Sequence, residues 1–230
     1  MSDQKLPVMI FGAGFGTRMR ELTKSTPKPL IPVASKPLID HALDLADARS
    51  CVVNTHYLAD QMQSHLQGRK NTVISHETPD ILETGGGLKA ALHLLGAAPV
   101  LTLNSDAIWS GPNPLDLLEN AWQPDHMDAL LLLIPLGRTI GFTRPGDFAI
   151  SPSGQLSRHP EGMVYSGAQI LKTDGLRTIP DLSFSLNVLW TKIQNQGRLF
   201  GLEYPGHWAD VGTPEGIPLA EKLVKGPPCV

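Results

Sequence analysis

Two carboxylates, two cations and a cluster of glycines carry most of the chemistry in this sequence. Asp106 follows a short apolar run, Val100 to Leu103, and Asp210 stands in His207-Trp208-Ala209-Asp210-Val211-Gly212-Thr213. An acid just past a buried strand is well placed, because open α/β sheets bind ligands beyond the carboxyl ends of their strands. Two such groups suit Mg2+, which is often held by one or two carboxylates plus substrate phosphates. The cations are Arg18 and Lys28. Pro27 and Pro29 fix the backbone on both sides of Lys28, and a pre-set cation needs little ordering to meet a developing negative charge. Arg18 offers a planar fork to a phosphate. Upstream, Gly12, Gly14 and Gly16 are separated only by Ala13 and Phe15. A turn without Cβ atoms brings backbone N–H groups close to an anion. Singly, each acid reads as a turn or capping residue; with the glycine loop and the cations they read as a polyphosphate site.

The elements needed to hold these groups follow from the hydrophobic pattern. Val8 to Phe11 is a short buried strand leading into the glycine loop. The loop is not a Walker A motif, which requires Gly-Lys-Ser/Thr after its spacer. It also runs Gly-x-Gly-x-Gly, whereas the dinucleotide fingerprint is Gly-x-Gly-x-x-Gly with an acid ending the second strand. Here the second strand, Cys51 to Asn54, runs into Thr55-His56-Tyr57 without one. Helical spacing covers Pro37 to Ala48, Tyr57 to Leu66 and Gly85 to Leu95, and strands are expected at Thr72 to Ser75 and Val100 to Leu103. The first helix meets Cys51 with almost no room to turn, so either it ends early or the loop is short of residues. The alternation predicts an α/β fold, Rossmann-like, with a mixed, mostly parallel sheet flanked by helices. Later come strand-like segments at Ala129 to Pro135, Phe148 to Ile150 and Met163 to Tyr165, which suggest a small strand-rich lid. Phe184 to Gln194 and Pro214 to Val224 are expected closing helices.

Composition narrows the function classes. The chain of 230 residues has 41% hydrophobic and 18% charged residues, as a globular domain has. A net charge of −3 argues against broad nucleic-acid binding. Two cysteines, Cys51 and Cys229, predict a reducing, cytoplasmic setting and no disulfide framework. Cys229 stands too late for a prenylation box. The N-terminal residues are expected to carry no signal peptide, no apolar run is long enough for a membrane span, and no added C-terminal repeat domain is expected. No Ser-His-Asp or Cys-His arrangement is suggested, and His56 reads as structural.

Gly12-Ala13-Gly14-Phe15-Gly16-Thr17-Arg18-Met19 followed by Thr26-Pro27-Lys28-Pro29-Leu30 resembles the signature of the sugar-1-phosphate nucleotidylyltransferases. Within that family the chain looks most like the short N-acetylmuramate-α-1-phosphate uridylyltransferases. Further similar blocks lie at Leu82–Gly87, Leu103–Asp106, Gly146–Phe148 and His207–Glu215, so the resemblance spans nearly the whole chain. One departure is Glu21, where many relatives carry proline.

The resemblance implies an enzyme moving a nucleotidyl group from a nucleoside triphosphate, expected to be UTP, to a sugar 1-phosphate, expected to be N-acetylmuramic acid 1-phosphate. It assigns Arg18 and Lys28 to catalysis, and Asp106 and Asp210 to Mg2+. The nucleotide falls to Gly12, Ala13, Gly14, Gly16, Thr17, Glu83, Gly85, Gly86 and Gly87. The sugar phosphate falls to Gly146, Asp147, Tyr165 and Gly167. One domain, 1–230, is implied, with 1–126 as nucleotide-binding half and 127–230 as sugar-binding lid and closing helices. The protein is expected to be a monomer or small homo-oligomer with no nucleic-acid or membrane partner. Many relatives carry a Glu-Lys pair where Arg158-His159 stands here, and a lactyl carboxylate would want a cation, for which Arg158 is a candidate. Mannose-1-phosphate guanylyl transfer and a non-catalytic nucleotide-binding regulatory module remain as alternatives. A nicotinamide or flavin oxidoreductase is disfavoured by the loop spacing.

Overall fold

Period-two alternation places the side chains of the central strands on two faces. Val8 and Ile10 enter one core while Met9 enters the other, and Leu130, Leu132 and Ile134 oppose Ala129, Leu131 and Leu133 in the same way. Strands buried on both faces read as continuous apolar runs, which is why Ala129 to Ile134 is ALLLLI. A computed structural model of the protein describes residues 5–96 and 99–226. The expectations placed on residues 1–4 and on Cys229 lie outside the described residues.

In chain order the strands are β1 (Val8–Phe11), β2 (Pro32–Val33), β3 (Lys36–Pro37), β4 (Cys51–Thr55), β5 (Thr72–His76), β6 (Val100–Asn104) and β7 (Ala107–Ser110). They continue as β8 (Ala129–Ile134), β9 (Thr139–Ile140), β10 (Phe148–Ile150), β11 (Leu156–Arg158), β12 (Val164–Leu171), β13 (Leu199–Glu203) and β14 (His207–Asp210). The α-helices are α1 (Leu38–Ala46), α2 (Ala59–Leu66), α3 (Glu83–Leu95), α4 (Pro114–Ala121), α5 (Leu186–Asn195) and α6 (Gly216–Val224).

Seven strands form the main sheet in the order β13-β8-β12-β6-β1-β4-β5. β1 runs parallel to β4 and β6, β4 to β5, and β8 to β13; β12 alone is antiparallel to its neighbours. The sheet is thus mixed and mostly parallel, as the sequence predicts. The second half of the chain does more than cover an edge, because β8, β12 and β13 extend this same sheet. Among the described residues, the β10–β11 hairpin, the β2–β3 hairpin and the three-stranded sheet β7-β14-β9 stand outside it.

Residues of α1, α2 and α4 pack on one face of the sheet, and those of α3 and α5 on the other. A third core joins Met19, Ile31, Val33 and Leu38 to Ile108, Ala209, Val211, Ala220 and Leu223. That core fastens the segment after the glycine loop to β14 and α6. The tight first connection is resolved by an early stop: α1 ends at Ala46, Asp47 takes φ 50°, and the Arg49 N–H donates to the Ala46 carbonyl over 3.0 Å. Among the described residues, no helix is long and apolar enough to cross a membrane.

Candidate active site

The parallel strands bring the ends of β1, β4 and β6 to one edge, and a cleft of about 460 Å3 opens there. Its floor begins at Phe11 and Gly12 and passes Ala13, Gly14, Gly16, Thr17 and Arg18. Ser105, directly after β6, donates its hydroxyl to the Phe11 carbonyl over 2.6 Å, which locks the ends of β1 and β6 together. Gly16 turns with φ 64°, a conformation that side chains resist. A Cβ built there would stand 2.9 Å from the Lys28 Cβ and 3.0 Å from the Thr23 Cγ2. The Thr23 hydroxyl in turn donates to the Gly16 carbonyl at 3.0 Å, and the Tyr57 hydroxyl donates to the Thr23 carbonyl at 2.9 Å. The loop is therefore held against Lys28 by close packing and a short chain of hydrogen bonds.

Lys28 lies in a single 3-10 turn between its two prolines, is only 9% exposed, and donates to Asp106 Oδ2 over 2.6 Å. The register of β7 and β14 sets Asp210 opposite Ala107, and the Val211 N–H donates to the Asp106 carbonyl at 3.0 Å. The two carboxylates thus come from different elements but sit side by side. They respond oppositely to this shared space. Burial raises the Asp106 pKa, yet the Lys28 ammonium, with help from Arg18, overrides it and leaves the carboxyl below its usual range. Burial and then the Asp106 charge push Asp210 up, with Lys28, Arg144 and Arg18 opposing. Gly212 completes the corner, since a Cβ there would meet Arg18 Nη1 at 2.8 Å and Asp210 Oδ1 at 3.0 Å.

Two carboxylates that repel one another beside fixed cations form a donor set of hard oxygens suited to a divalent cation shared with phosphates. Among the described residues, no group of three or more His, Cys, Asp or Glu side chains is arranged to hold a metal alone. The fit is therefore to an ion carrying part of its ligand shell from a substrate. Cys51 offers no nucleophile, because burial pushes its thiol up to about 11 against the opposing charge of Arg49.

The far wall contains Glu77, which no sequence motif marks, and Asn54, which the sequence places near the same pocket. Glu77 is 2% exposed and uses both carboxylate oxygens: Oε1 accepts from Asn54 Nδ2 at 2.7 Å and Oε2 from the Leu82 N–H at 2.8 Å. Asn54 Oδ1 accepts from the Gly12 N–H at 2.8 Å, so one relay joins the glycine loop to the start of α3. Both residues line the cleft, as do Thr84, Asn104 and Ser185. Their signal in the sequence is position alone, since Asn54 lies at the end of β4 and Glu77 directly after β5.

Glu83 lines the cleft and enters α3 at φ 57°, a strained conformation for a residue bearing a side chain. The three glycines that follow do not line the cleft. Gly85 and Gly86 donate their N–H groups to the Phe184 carbonyl at 2.8 Å and 3.0 Å, and all three glycines are buried. The sequence leads one to expect their backbone to face a base; here the N–H groups of Gly85 and Gly86 are taken by Phe184. The four expected sugar contacts do not line this cleft: Gly146 and Asp147 precede β10, and Tyr165 and Gly167 lie on β12. There the Tyr165 N–H donates to Asp147 Oδ2 at 2.8 Å, and Gly167, at φ 87°, packs against the Asn104 side chain. Gly146 is pinned by a hydrogen bond from its N–H to the Pro160 carbonyl at 2.7 Å.

Residues 8–150 match the MobA-like NTP transferase domain. The chain belongs to that family. Over 96% of this transferase and 98% of its relative, it is 40% identical to the N-acetylmuramate alpha-1-phosphate uridylyltransferase of Caulobacter vibrioides. It is 33% identical to the protein of that name from Neisseria meningitidis, over 90% of this chain and 94% of the relative. A Bacillus anthracis structure, described as a glucose-1-phosphate thymidylyltransferase in complex with sucrose, shares the fold. Its TM-score is 0.80 at 18% identity, covering 98% of this chain and 97% of that one. The transferase is thus an enzyme of the sugar-1-phosphate nucleotidyltransferase type.

Proposed function

We propose that the enzyme transfers a uridylyl group from UTP to N-acetylmuramate 1-phosphate, releasing pyrophosphate, in cytoplasmic cell-wall sugar metabolism. The observation that carries the reaction class is that Lys28, Arg18 and Asp106 line one cleft behind the glycine loop, with Asp210 close enough to feel all three charges. The choice of base and sugar follows the two uridylyltransferase relatives that match almost end to end.

A sugar phosphate is largely dianionic at neutral pH, as a phosphoserine with a second pKa of about 6 is. Its oxygen attacks the α-phosphorus, the bond from that phosphorus to the bridging oxygen breaks, and pyrophosphate departs with the electron pair. No general base is required, so the residues act by positioning and by matching charge. Lys28 turns from Asp106 toward the transferring phosphate, and Arg18 forks onto its oxygens. The loop from Gly12 to Thr17 surrounds the phosphates, while Glu83 and Thr84 border the base. Asp106 and Asp210 are the residues that would hold Mg2+, which when bound neutralises phosphate charge and orients oxygens.

A panel of sugar 1-phosphates against four nucleoside triphosphates, read by pyrophosphate release, tests the reading. The expected result is the highest kcat/KM for UTP with N-acetylmuramate 1-phosphate, since specificity is a ratio of these values. A preference for GTP with mannose 1-phosphate replaces the substrate assignment with guanylyl transfer. Nucleotide binding without turnover of any pair would instead mark a regulatory module.

A further inference from the structure

N-acetylmuramate differs from N-acetylglucosamine by a lactyl ether that ends in a carboxylate, and that charge needs a partner in the enzyme. On the reading given above, we infer that Arg158 is the residue that recognises this carboxylate and so selects the sugar.

The argument starts from topology. Because β12 runs antiparallel to β6, its first residues lie at the edge where β6 ends, and Ala168 pairs with Leu103. A Cβ on Gly167 would stand 2.7 Å from the side chain of Asn104, which lines the cleft. Gly167 therefore packs directly behind the cleft-lining Asn104, and Tyr165 precedes it on the same strand. Asp147 accepts from the Tyr165 N–H, and the Phe148 N–H donates to the Met163 carbonyl at 3.1 Å, so the β10–β11 hairpin is tied to the same edge.

Arg158 pairs with Phe148 across that hairpin. Its guanidinium carbon lies 4.2 Å from the Phe148 ring centroid and 5.7 Å from that of Trp190. The Trp190 ring in turn meets Tyr165 at 4.8 Å between centroids. Stacking on an aromatic face orients a planar fork while leaving its edge open to an acceptor. Arg158 Nη2 donates to Asn187 Oδ1, and Asn187 Nδ2 donates to Ser185 Oγ at 2.9 Å. Ser185 lines the cleft, so two side chains connect the guanidinium to its wall. Arg158 is exposed, and the Asp147 carboxylate acts on it electrostatically without forming an ion pair within 4.0 Å. A guanidinium has five N–H donors in one plane, enough to keep the Asn187 bond and take a carboxylate edge-on.

Arg18 lines the cleft at the glycine loop and is assigned above to the triphosphate, and three other nearby cations approach carboxylates. Lys28 is paired with Asp106, Arg20 with Glu215 over 3.0 Å, and Arg144 approaches Asp210 at 3.8 Å. Arg144 is the competing candidate and is included in the test.

Arg158→Gln, Arg158→Lys and Arg144→Gln are compared with the parent enzyme. The measurements are kcat/KM for N-acetylmuramate 1-phosphate with UTP, and the inhibition constant of N-acetylglucosamine 1-phosphate as a competing sugar. Losing a charged hydrogen-bond partner is expected to lower kcat/KM about 10- to 100-fold in Arg158→Gln, chiefly through KM. Inhibition by the analogue that lacks the lactyl carboxylate should stay within about threefold, because it has no carboxylate to present to the guanidinium. Arg158→Lys should fall between, since it keeps the charge and loses the fork. Thermal melting of each variant identifies any loss of fold, and Arg158→Lys supplies the comparison if the glutamine variant does not fold. Equal losses on both sugars would make Arg158 a structural strut and overturn the inference. So would unchanged kinetics, or a selective loss in Arg144→Gln instead. If the parent enzyme does not use N-acetylmuramate 1-phosphate at all, the substrate reading has failed and Arg158 loses its role with it.

Discussion

Gly12, Gly14 and Gly16 border an open cleft, whereas Gly85, Gly86 and Gly87 are sealed inside the fold. Around the first cluster, a Cβ on Gly14 would meet nothing within 4 Å, and one on Gly16 would press on the stem of Lys28. Around the second, a Cβ on Gly86 would stand 2.1 Å from the Leu182 carbonyl oxygen, and one on Gly85 would stand 2.4 Å from the Phe184 ring. Gly87 would press on Glu77 Oε1 at 2.5 Å, the same oxygen that accepts from Asn54. Gly14 leaves open space at the cleft, whereas Gly85 and Gly86 let a loop lie on a helix. Glycine identity alone does not separate these uses. What a missing side chain would have touched does.

Breaking the first cluster should remove chemistry and leave the fold. Lys28→Ala deletes the cation that the loop is packed against, and a loss of about 10² to 10³ in kcat is expected from removal of one preorganised contact. Turnover at saturating substrates measures it, with circular dichroism as control. Wild-type turnover in this variant would detach the loop from any catalytic cation.

Breaking the second should do the reverse. Gly86→Ala drives a methyl group into backbone, and overpacking of that kind costs about 1–3 kcal/mol. Chemical denaturation should show that loss, while kcat per folded molecule stays near wild type. A folded, fully stable Gly86→Ala whose KM for the nucleotide rises tenfold would return this cluster to the ligand.

The contrast also marks what was legible in the sequence. Asp106 was visible because Val100 to Leu103 is an apolar run that stops one residue before Asn104-Ser105-Asp106. The alternation of β1, α1, β4, α2, β5, α3 and β6 was visible for the same reason, a change of period at each boundary. By contrast the strand pattern of β12 is legible only over Met163 to Tyr165, because its remainder includes Ser166, Gly167 and Gln169. Gln169 is fully buried, donating to Thr102 Oγ1 at 3.2 Å and accepting from Trp190 Nε1 at 2.8 Å. Those partners come from elements far apart in sequence, so a polar residue looked like a loop residue. The relay from Gly12 through Asn54 to Glu77 was hidden in the same way, since it joins three separate strand ends. Leu199 to Glu203 carries a glycine in its middle and is completed only by pairing with β8.

A smaller effect separates the regions electrostatically. The corner around Asp210 holds unfavourable charge that the packed glycines of α3 do not face. Burial and the neighbouring Asp106 raise the folded-state pKa of Asp210 above its unfolded value, so the folded protein binds the proton more tightly. Stability contributed by this group is therefore present at low pH and lost as pH rises through the raised value. Asp210→Asn should accordingly melt higher than wild type at pH 7 without ligand, with the gap closing toward acid. The same variant should lose activity, because an anionic oxygen is gone from the proposed cation site. A lower melting temperature at pH 7 would show that Asp210 is held by favourable contacts and carries no such penalty.

The smallest effect is expected at Gly14. It lies in the middle of the first cluster, is exposed, and faces open space on the side where a Cβ would project. Packing therefore gives no reason for glycine at this position. If the loop surrounds a triphosphate, however, the added methyl group occupies volume that the ligand or its water needs. Gly14→Ala should change unfolding free energy by less than about 0.5 kcal/mol, as a surface substitution does. KM for the nucleoside triphosphate should rise about threefold with kcat unchanged, a binding loss under ~1 kcal/mol. A variant that loses stability instead would place Gly14 with the packed glycines of α3. Unchanged stability with unchanged KM would mean that the nucleotide never approaches this part of the turn, and the phosphate cradle would have to lie nearer Gly16 and Lys28.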